Sequence, residues 1–317
     1  MIIAPQWYER FELHGLLVAS NAGWHDAGVS RGKLDDLVTA GELIRVRRGA
    51  YATRAILEQA AMEPALDHAI KATAVRVTGK HEESVVSYES AALLHGMDLL
   101  GDPPGTQPAD KVSLTVPPGT RTGRHTAPGV EVHSAELPPK HKEERFFRVP
   151  VTTAARTVVD IARTSTFMQG VVVADSALRQ GIATAGAIGR VLADCAQWPG
   201  VEKARRVAAF ATHLSESVLE SCARVTFYQR ELPPPVLQAP IRGRDGTLIA
   251  RPCFCWPQYR TLADADGVHL NREASLRELG WEDVHFTWGD LFGAPDSLLG
   301  RLQEAFGRGA GTPRTPA

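Results

Sequence analysis

The chain has 317 residues, of which 44% are hydrophobic and 22% are charged, and its formal net charge is −1. This is the composition of a globular protein long enough for two or three domains, and its balanced charge excludes a bulk electrostatic affinity for nucleic acid, so any such contact must come from a local patch. No apolar run reaches the length of a membrane span, and the N-terminus lacks the apolar core of a signal peptide, so we expect a cytoplasmic protein with no membrane partner.

The first part of the chain combines helix signals with a basic hairpin. Residues 5–14 have the spacing of a helix, and Ser20 can cap a second helix that leads into a tight turn. Ser30 can cap a third helix, which a glycine ends, and residues 43–52 then form a hairpin with arginines at its tip. This order of elements is that of a winged helix-turn-helix, which we predict for residues 1–55.

A winged helix-turn-helix places a helix in the DNA major groove while its cationic hairpin contacts phosphates. The candidate DNA-binding residues are Arg31, Lys33 and Thr39 on the helix, facing bases, and Arg45, Arg47 and Arg48 on the hairpin, facing the DNA backbone. Two acidic residues, Asp35 and Asp36, lie on the same helix and oppose phosphate attraction. A winged helix used for dimerisation and a plain helix followed by a hairpin are the alternatives.

Residues 56–211 mix helical and strand patterns without a repeat. Strands are predicted at 112–116 and 130–133, and helices dominate from 154 to 211. The region has neither a phosphate-binding glycine loop nor the glycine-flanked nucleophile of a hydrolase. We expect a mixed α/β middle domain that serves as a dimerisation or partner-binding body.

The last third alternates helices and strands. The pattern predicts a helix at 215–230, strands at 237–241, 248–254 and 260–265, a helix at 272–279, a strand at 284–287 and a helix at 297–306. We therefore predict an α/β domain at 212–306, followed by a disordered tail at 307–317. The fold class predicted for the whole chain is α/β, with an α+β arrangement overall.

The four cysteines are too sparse for a disulfide framework. Cys253 and Cys255 form the only close pair, and on a strand their thiols would share one face and resemble half of a zinc site. No second pair of cysteines or histidines is spaced to complete such a site. The pattern therefore favours buried structural cysteines.

Several segments in a fixed order resemble known families. A resemblance to the actinobacterial proteins grouped with the AbiEi family of type IV antitoxins is carried by GLLVASNAGWHDAGVSRGKLDDLVTAGELIRVRRGAYAT, VVSYESAALLHGM and VPVTTAARTVVDIART. A second resemblance is to the C-terminal domain often fused to these proteins, which is similar to very-short-patch-repair (Vsr) endonucleases of the restriction-endonuclease-like fold. It is carried by SESVLES, LPPPVLQ, CFCWPQYR, DADG and LRELGWEDVHFTWGDL. The resemblance covers nearly the whole chain.

The resemblance implies a DNA-binding repressor or antitoxin, in the AbiEi pattern encoded beside a nucleotidyltransferase toxin, with a nuclease-like module. Clustered carboxylates of such a module hold Mg²⁺, which polarises the phosphate and lowers the pKa of the attacking water. Carried over residue by residue, the resemblance implies Glu220, Asp264, Asp266 and His269 as candidate catalytic residues, with Glu220 and Asp264 as the metal ligands of an active site.

One position departs from the nuclease pattern. The family's strand aspartate, in the pattern Asp-Phe-x-Trp-Pro, falls on Cys253, and the segment after Gly267 is shorter than in the family. Mg²⁺ prefers hard oxygen ligands, which a thiol cannot replace. The departures imply a nuclease-like domain that has lost its activity and needs no cofactor. The three remaining acids and the histidine leave a weak Mg²⁺- or Mn²⁺-dependent nuclease as the opposing hypothesis.

Three functions therefore compete. The preferred hypothesis is a transcriptional regulator or antitoxin that binds double-stranded DNA and uses the rest of the chain for a homodimer or a toxin partner. The rival is an enzyme, a metal-dependent endodeoxyribonuclease. The third is an antitoxin that neutralises its toxin by protein contact alone.

Overall fold

A computed structural model describes residues 18–79, 83–101, 104, 111–120, 129–145, 149–265 and 270–310. Helices and strands are mixed throughout these ranges, and the predicted α/β class is thereby confirmed. The helix predicted at 5–14 lies outside the described residues. Within them, no helix combines the length and the apolar character that crossing a membrane requires.

The N-terminal unit, residues 18–53, is a small antiparallel sheet covered by two helices. Its elements are β1 (Val18–Ser20), α1 (Asn21–Asp26), α2 (Arg31–Thr39), β2 (Leu43–Arg47) and β3 (Ala50–Thr53). The strand order is β1-β3-β2, and both pairings are antiparallel. Trp24, Leu34, Leu37 and Leu43 are buried together between the helices and the sheet, so the apolar face of each helix is directed inward.

Two helices join the N-terminal unit to the middle region. These are α3 (Arg54–Ala60) and α4 (Pro64–Thr78), the second of which starts on a proline as helices often do. One buried cluster contains Val18 of the N-terminal sheet, Ile70 of α4 and Leu114 of the middle sheet. The N-terminal unit and the middle region therefore share a hydrophobic core.

The middle region is built on a five-stranded mixed sheet. Its elements are β4 (Val85–Val86), α5 (Tyr88–Leu94), β5 (Val112–Val116), β6 (Val130–Ser134), β7 (Lys142–Arg145) and β8 (Val149–Thr152). The strand order is β6-β5-β4-β8-β7, with parallel pairing of β5 with β6 and of β4 with β8. All five residues of β5 are buried, as expected for a strand covered on both faces.

A layer of four helices follows the sheet. They are α6 (Ala154–Thr164), α7 (Phe167–Arg179), α8 (Ala185–Asp194) and α9 (Val201–Phe210). Threonine hydroxyls cap three of them, and at α7 the Thr166 and Gln169 side chains form a reciprocal capping box. Valine, isoleucine and alanine side chains of these helices form a single large core with residues of α5.

The C-terminal region contains two sheets. Its elements are α10 (Val218–Gln229), β9 (Val236–Leu237), β10 (Ile241–Arg242), β11 (Leu248–Ala250), β12 (Phe254–Trp256), β13 (Thr261–Ala265), α11 (Leu270–Glu278), β14 (Glu282–Phe286) and α12 (Pro295–Ala310). The main sheet has the order β14-β13-β12-β9, and β10 pairs with β11 as a separate hairpin. The core of the main sheet is aromatic and includes Phe227, Phe254, Trp256 and Phe286.

Three sequence expectations fail in this region. The strand predicted at 237–241 is two strands in different sheets, β9 and β10. The strand predicted at 248–254 is two strands in different sheets, β11 and β12, with Pro252 in the gap between them; proline has no N–H for a sheet ladder. The tail predicted as disordered at 307–317 starts too early, because α12 continues to Ala310. Arg308 within it forms an ion pair with Glu282 at 2.8 Å.

A buried ion pair connects the middle and C-terminal regions. Arg224 of α10 donates to both carboxylate oxygens of Asp175 on α7, at 2.7 and 2.9 Å, and Ser221 donates to the same carboxylate at 2.8 Å. Asp175 is fully buried. The predicted boundary at 211/212 therefore coincides with a tightly packed junction, since Val225 of α10 also belongs to the core of the four-helix layer.

Candidate functional site

Local hydrogen bonds determine how α1 leads into α2. The Ser20 hydroxyl accepts from the Gly23 N–H at 3.1 Å, and the Ser30 hydroxyl accepts from the Lys33 N–H at 3.3 Å. Between the two helices Gly28 has φ = 85°, a conformation that glycine adopts without strain. The predicted helix, tight turn and helix are therefore present at residues 21–39, with both serine caps in place.

The predicted base-contacting side chains are spread around α2, with Arg31 and Lys33 on the two flanks of its buried face and Thr39 on the outer face. Arg31 and Thr39 are exposed at opposite ends of the helix, and Lys33 is half-buried. The Thr39 hydroxyl donates to the Asp35 carbonyl at 2.8 Å, which orients its side chain along the helix. Asp35 and Asp36 are exposed on the same helix, so its surface carries charges of both signs.

The hairpin of β2 and β3 carries the three predicted phosphate-contacting arginines. Arg45 and Arg48 are exposed and Arg47 is half-buried, and Gly49 makes the tight turn with φ = 84°. The pairing register shifts between Arg45 and Arg47, and the Arg45 guanidinium donates to the Arg47 carbonyl at 3.4 Å. The hairpin therefore presents a ribbon of arginines beside α2, within the same small unit.

The predicted nuclease residues meet in part, at the start of α10 and between β12 and β13. Glu220 and Asp264 are buried, and the Cys253 thiol interacts with both carboxylates. The Cys253 N–H also donates to Asp264 at 2.7 Å. The other two candidate residues, Asp266 and His269, lie outside the described residues.

The charge state of this acidic cluster (Glu220, Cys253 and Asp264) follows from its burial. Burial raises the pKa of the Cys253 thiol, and the two neighbouring carboxylates raise it further, so the thiol keeps its proton at neutral pH. Burial also raises the pKa of Glu220, while hydrogen bonds from the Glu216 N–H, the Cys253 thiol and the Ser217 hydroxyl lower it. A protonated thiol therefore lies beside the two carboxylates, at the position where the resemblance to Vsr endonucleases implies an aspartate.

The acidic cluster does not fit Mg²⁺. This cation needs several hard oxygen ligands around an open position, whereas here a sulfur atom interacts with both carboxylates. Within the ranges that the structure covers, no group of three or more histidine, cysteine, aspartate or glutamate side chains is arranged to hold a metal ion.

Comparison with known proteins identifies relatives over most of the chain. Two proteins from strains of Mycobacterium tuberculosis, uncharacterized protein Rv2248 and uncharacterized protein MT2308, are each 30% identical to it over 288 residues, which is 86% of this chain and 96% of theirs. The chain belongs to their family. No family model matches this member of the Rv2248 family.

A solved structure has a weaker likeness. The crystal structure of the RV2827C protein from Mycobacterium tuberculosis aligns with 76% of this chain and 90% of its own length, at 14% identity and a TM-score of 0.39.

The sequence did not predict one residue that hydrogen-bonds to the acidic cluster of this Rv2248-family chain. Gln238 is buried, has φ = 55°, and donates from its side-chain nitrogen to Glu220 at 3.3 Å. A left-handed glutamine costs backbone energy, and such strain is often found where a side chain is held for a purpose. Gln238 ends the segment LPPPVLQ that carries part of the resemblance to Vsr endonucleases, but nothing in that segment marks the glutamine as a hydrogen-bond donor to Glu220.

Proposed function

We propose that the chain is a DNA-binding transcriptional regulator of the antitoxin type that acts in the cytoplasm. What supports the proposal is one observation: the exposed face of α2 lies beside a hairpin that presents Arg45, Arg47 and Arg48. A nine-residue helix is about 13 Å long, which suits insertion of its first turns into a major groove, and the arginines would contact phosphates on the flanking backbone.

The mixed charge of α2 predicts how such binding would depend on salt. Asp35 and Asp36 repel phosphates, so affinity comes mainly from the hairpin arginines together with Arg31 and Lys33. Each phosphate contact that is lost should reduce the slope of log affinity against log salt by about 1. A salt titration therefore counts the contacts independently of the affinity itself.

The deciding experiment is fluorescence anisotropy of the full chain with duplex DNA from upstream of its own gene. We expect saturable binding, and we expect Arg47→Ala with Arg48→Ala to weaken it and to lower the salt slope by roughly 2. The matched control is Arg242→Ala with Arg244→Ala, which removes two exposed arginines from the hairpin of β10 and β11. Equal affinity in the two double variants would overturn the assignment of the hairpin.

For the C-terminal region we propose a nuclease-like domain without activity. The support is the acidic cluster, in which Glu220 and Asp264 meet around a protonated Cys253. The alternative, a metal-dependent endonuclease, is favoured by the same convergence of carboxylates. Incubation of plasmid with Mn²⁺ or Mg²⁺ separates the two, because cutting that disappears in Glu220→Ala would establish the enzyme.

Partners form the last part of the proposal. We propose a homodimer on DNA and a nucleotidyltransferase-like toxin as the protein partner, both from the AbiEi resemblance. Co-expression with the product of the neighbouring gene tests the toxin, and light scattering tests the dimer. Co-purification of a toxin by a chain that fails to bind DNA would instead support an antitoxin acting by protein contact alone.

A further inference from the structure

A second site lies away from both the N-terminal unit and the acidic cluster. A cavity of about 530 Å³ opens between the end of β6 and the helices α6 and α8. The lining residues that matter for its chemistry are Ser134, Glu136, His141, Arg156, Arg163, Asp194 and Trp198. None of the functions considered above uses this cavity.

The two arginines of the cavity share one buried carboxylate. Arg156 donates to one oxygen of Asp160 at 2.7 Å, and Arg163 donates to the other at 3.1 Å. Asp160 is completely buried, and Arg163 also donates to the Tyr88 hydroxyl. Among the residues that the structure describes, no second carboxylate pairs with either guanidinium, so two positive charges face one negative charge.

The ionisable groups next to the two arginines do not neutralise their excess positive charge. His141 accepts from Arg156 through Nδ1 at 3.1 Å and contacts Asp194 through Nε2 at 3.0 Å. Burial lowers the pKa of His141, so the ring is neutral and donates its single N–H to Asp194. Asp194 in turn pairs with Lys140 at 2.7 Å, and Glu136 lines the cavity from an exposed position. Lys140 offsets Asp194, so the one positive charge in excess in the group of Arg156, Arg163 and Asp160 faces only the exposed Glu136.

Arg156 itself is held without full hydrogen bonding. It is 1% exposed, and within the described part of the chain its Nη2 has no hydrogen-bond partner. The carbon at the centre of its guanidinium lies 4.4 Å from the ring centre of Trp198, and that of Arg163 lies 5.0 Å from it. The indole attracts both cations through its ring electrons but supplies no negative charge. Burial of an uncompensated cation is costly, and an anion in the cavity would offset that cost.

We propose that this cavity binds a small oxyanion, a carboxylate or a phosphate, through Arg163 and Arg156 against the indole of Trp198. Guanidinium groups suit such ligands because their N–H groups match the spacing of two oxygens. The proposed anion site does not depend on DNA binding, so it is tested separately from the proposed regulator function.

Isothermal titration calorimetry of the full chain in a low-chloride buffer tests the site. The probes are inorganic phosphate and, separately, succinate, so that the two sources of oxyanion are distinguished. We expect saturable binding of at least one probe, and we expect Arg163→Gln to weaken it by about tenfold or more, since a charge-assisted hydrogen bond is lost. The absence of saturable binding for both probes would overturn the proposal.

Two exposed positions give a test that leaves the buried network intact. Ser134→Glu adds a negative charge to the lining and should weaken binding, whereas Glu136→Gln removes one and should strengthen it by roughly threefold. Glu304→Gln on α12 removes the same charge at a residue outside the lining and is the matched control. Unchanged affinity in both lining variants, at the level of the control, would contradict the site even if Arg163→Gln failed to fold.

Discussion

At the scale of single residues, Cys253 decides what the acidic cluster can do. Its protonated thiol interacts with two buried carboxylates that would otherwise repel each other. A proton donor lowers the cost of burying such a pair, which is the role that a divalent cation has in a nuclease. Replacing this thiol with an acid would therefore change the charge of the acidic cluster.

Replacement of this thiol gives a residue-scale prediction. Cys253→Asp places a third carboxylate in the cluster, so we expect lower stability without metal and recovery on addition of Mn²⁺, measured as a rise in Tm against the same protein in EDTA. Cys253→Ser is the matched control, because it keeps a neutral donor, and its Tm should not respond to Mn²⁺. A Cys253→Asp protein whose Tm ignores Mn²⁺ would show that the pocket cannot accept a cation.

The residue scale also shows how far the sequence predicts the site. The resemblance to Vsr endonucleases predicts Glu220 and Asp264 in one site, and the structure places both carboxylates next to Cys253. Gln238 could not be found, because its role depends on a left-handed backbone that no local signal encodes. The ion pairs of Arg156 and Arg163 with Asp160 could not be found from the sequence either, since helical spacing alone does not reveal that a side chain is buried.

At the scale of elements, helices with strong capping signals in the sequence were predicted well, whereas strands, whose sequence signals are weaker, were misplaced. Ser20 and Ser30 cap helices as predicted, because capping needs only a hydroxyl and the next turn of backbone. The strand β7, Lys142–Arg145, was missed because all four of its residues are charged. Its strand geometry comes from pairing with β8, and charged side chains suit its place at the edge of the sheet.

The close approach of the end of α12 to the segment between β12 and β13 gives an element-scale prediction. A Cβ on Gly309 would lie 1.7 Å from the Tyr259 carbonyl oxygen, whereas a Cβ on Gly307 would meet nothing within 4 Å. Gly309→Ala should therefore destabilise the fold by about 1 to 3 kcal/mol.

Gly307→Ala, on the same helix, should stabilise the fold by about 0.5 to 1 kcal/mol, because alanine loses less backbone entropy in a helix. Urea unfolding of the two variants measures both effects. Destabilisation of the same size in both would mean that the contact with Tyr259 is not the cause.

At the scale of the whole molecule, the buried pair of Asp175 and Arg224 makes the middle and C-terminal regions depend on each other. Asp175→Asn leaves Arg224 buried without its counter-ion, so we expect a loss of about 3 to 5 kcal/mol in the free energy of unfolding. Asp296→Asn removes an equivalent charge from the exposed pair with Arg230 and should cost no more than about 1 kcal/mol. Denaturant unfolding followed by tryptophan fluorescence compares the two, and similar losses would contradict a structural role for the buried pair.

The hydrophobic cluster that contains Val18, Ile70 and Leu114 has a consequence for how an operator would be arranged. A DNA-binding module on a flexible tether tolerates variable gaps between its two target sequences. If residues 18–53 bind DNA as proposed, they differ from such a module, because they share a hydrophobic core with the middle region. In a dimer, the surface through which the two chains pair would therefore determine the distance between the two α2 helices. Inserting five base pairs between the halves of the operator turns one half to the opposite side of the duplex and should then abolish cooperative occupancy. Inserting ten base pairs should return the two halves to the same side of the duplex but leave them farther apart than the two α2 helices.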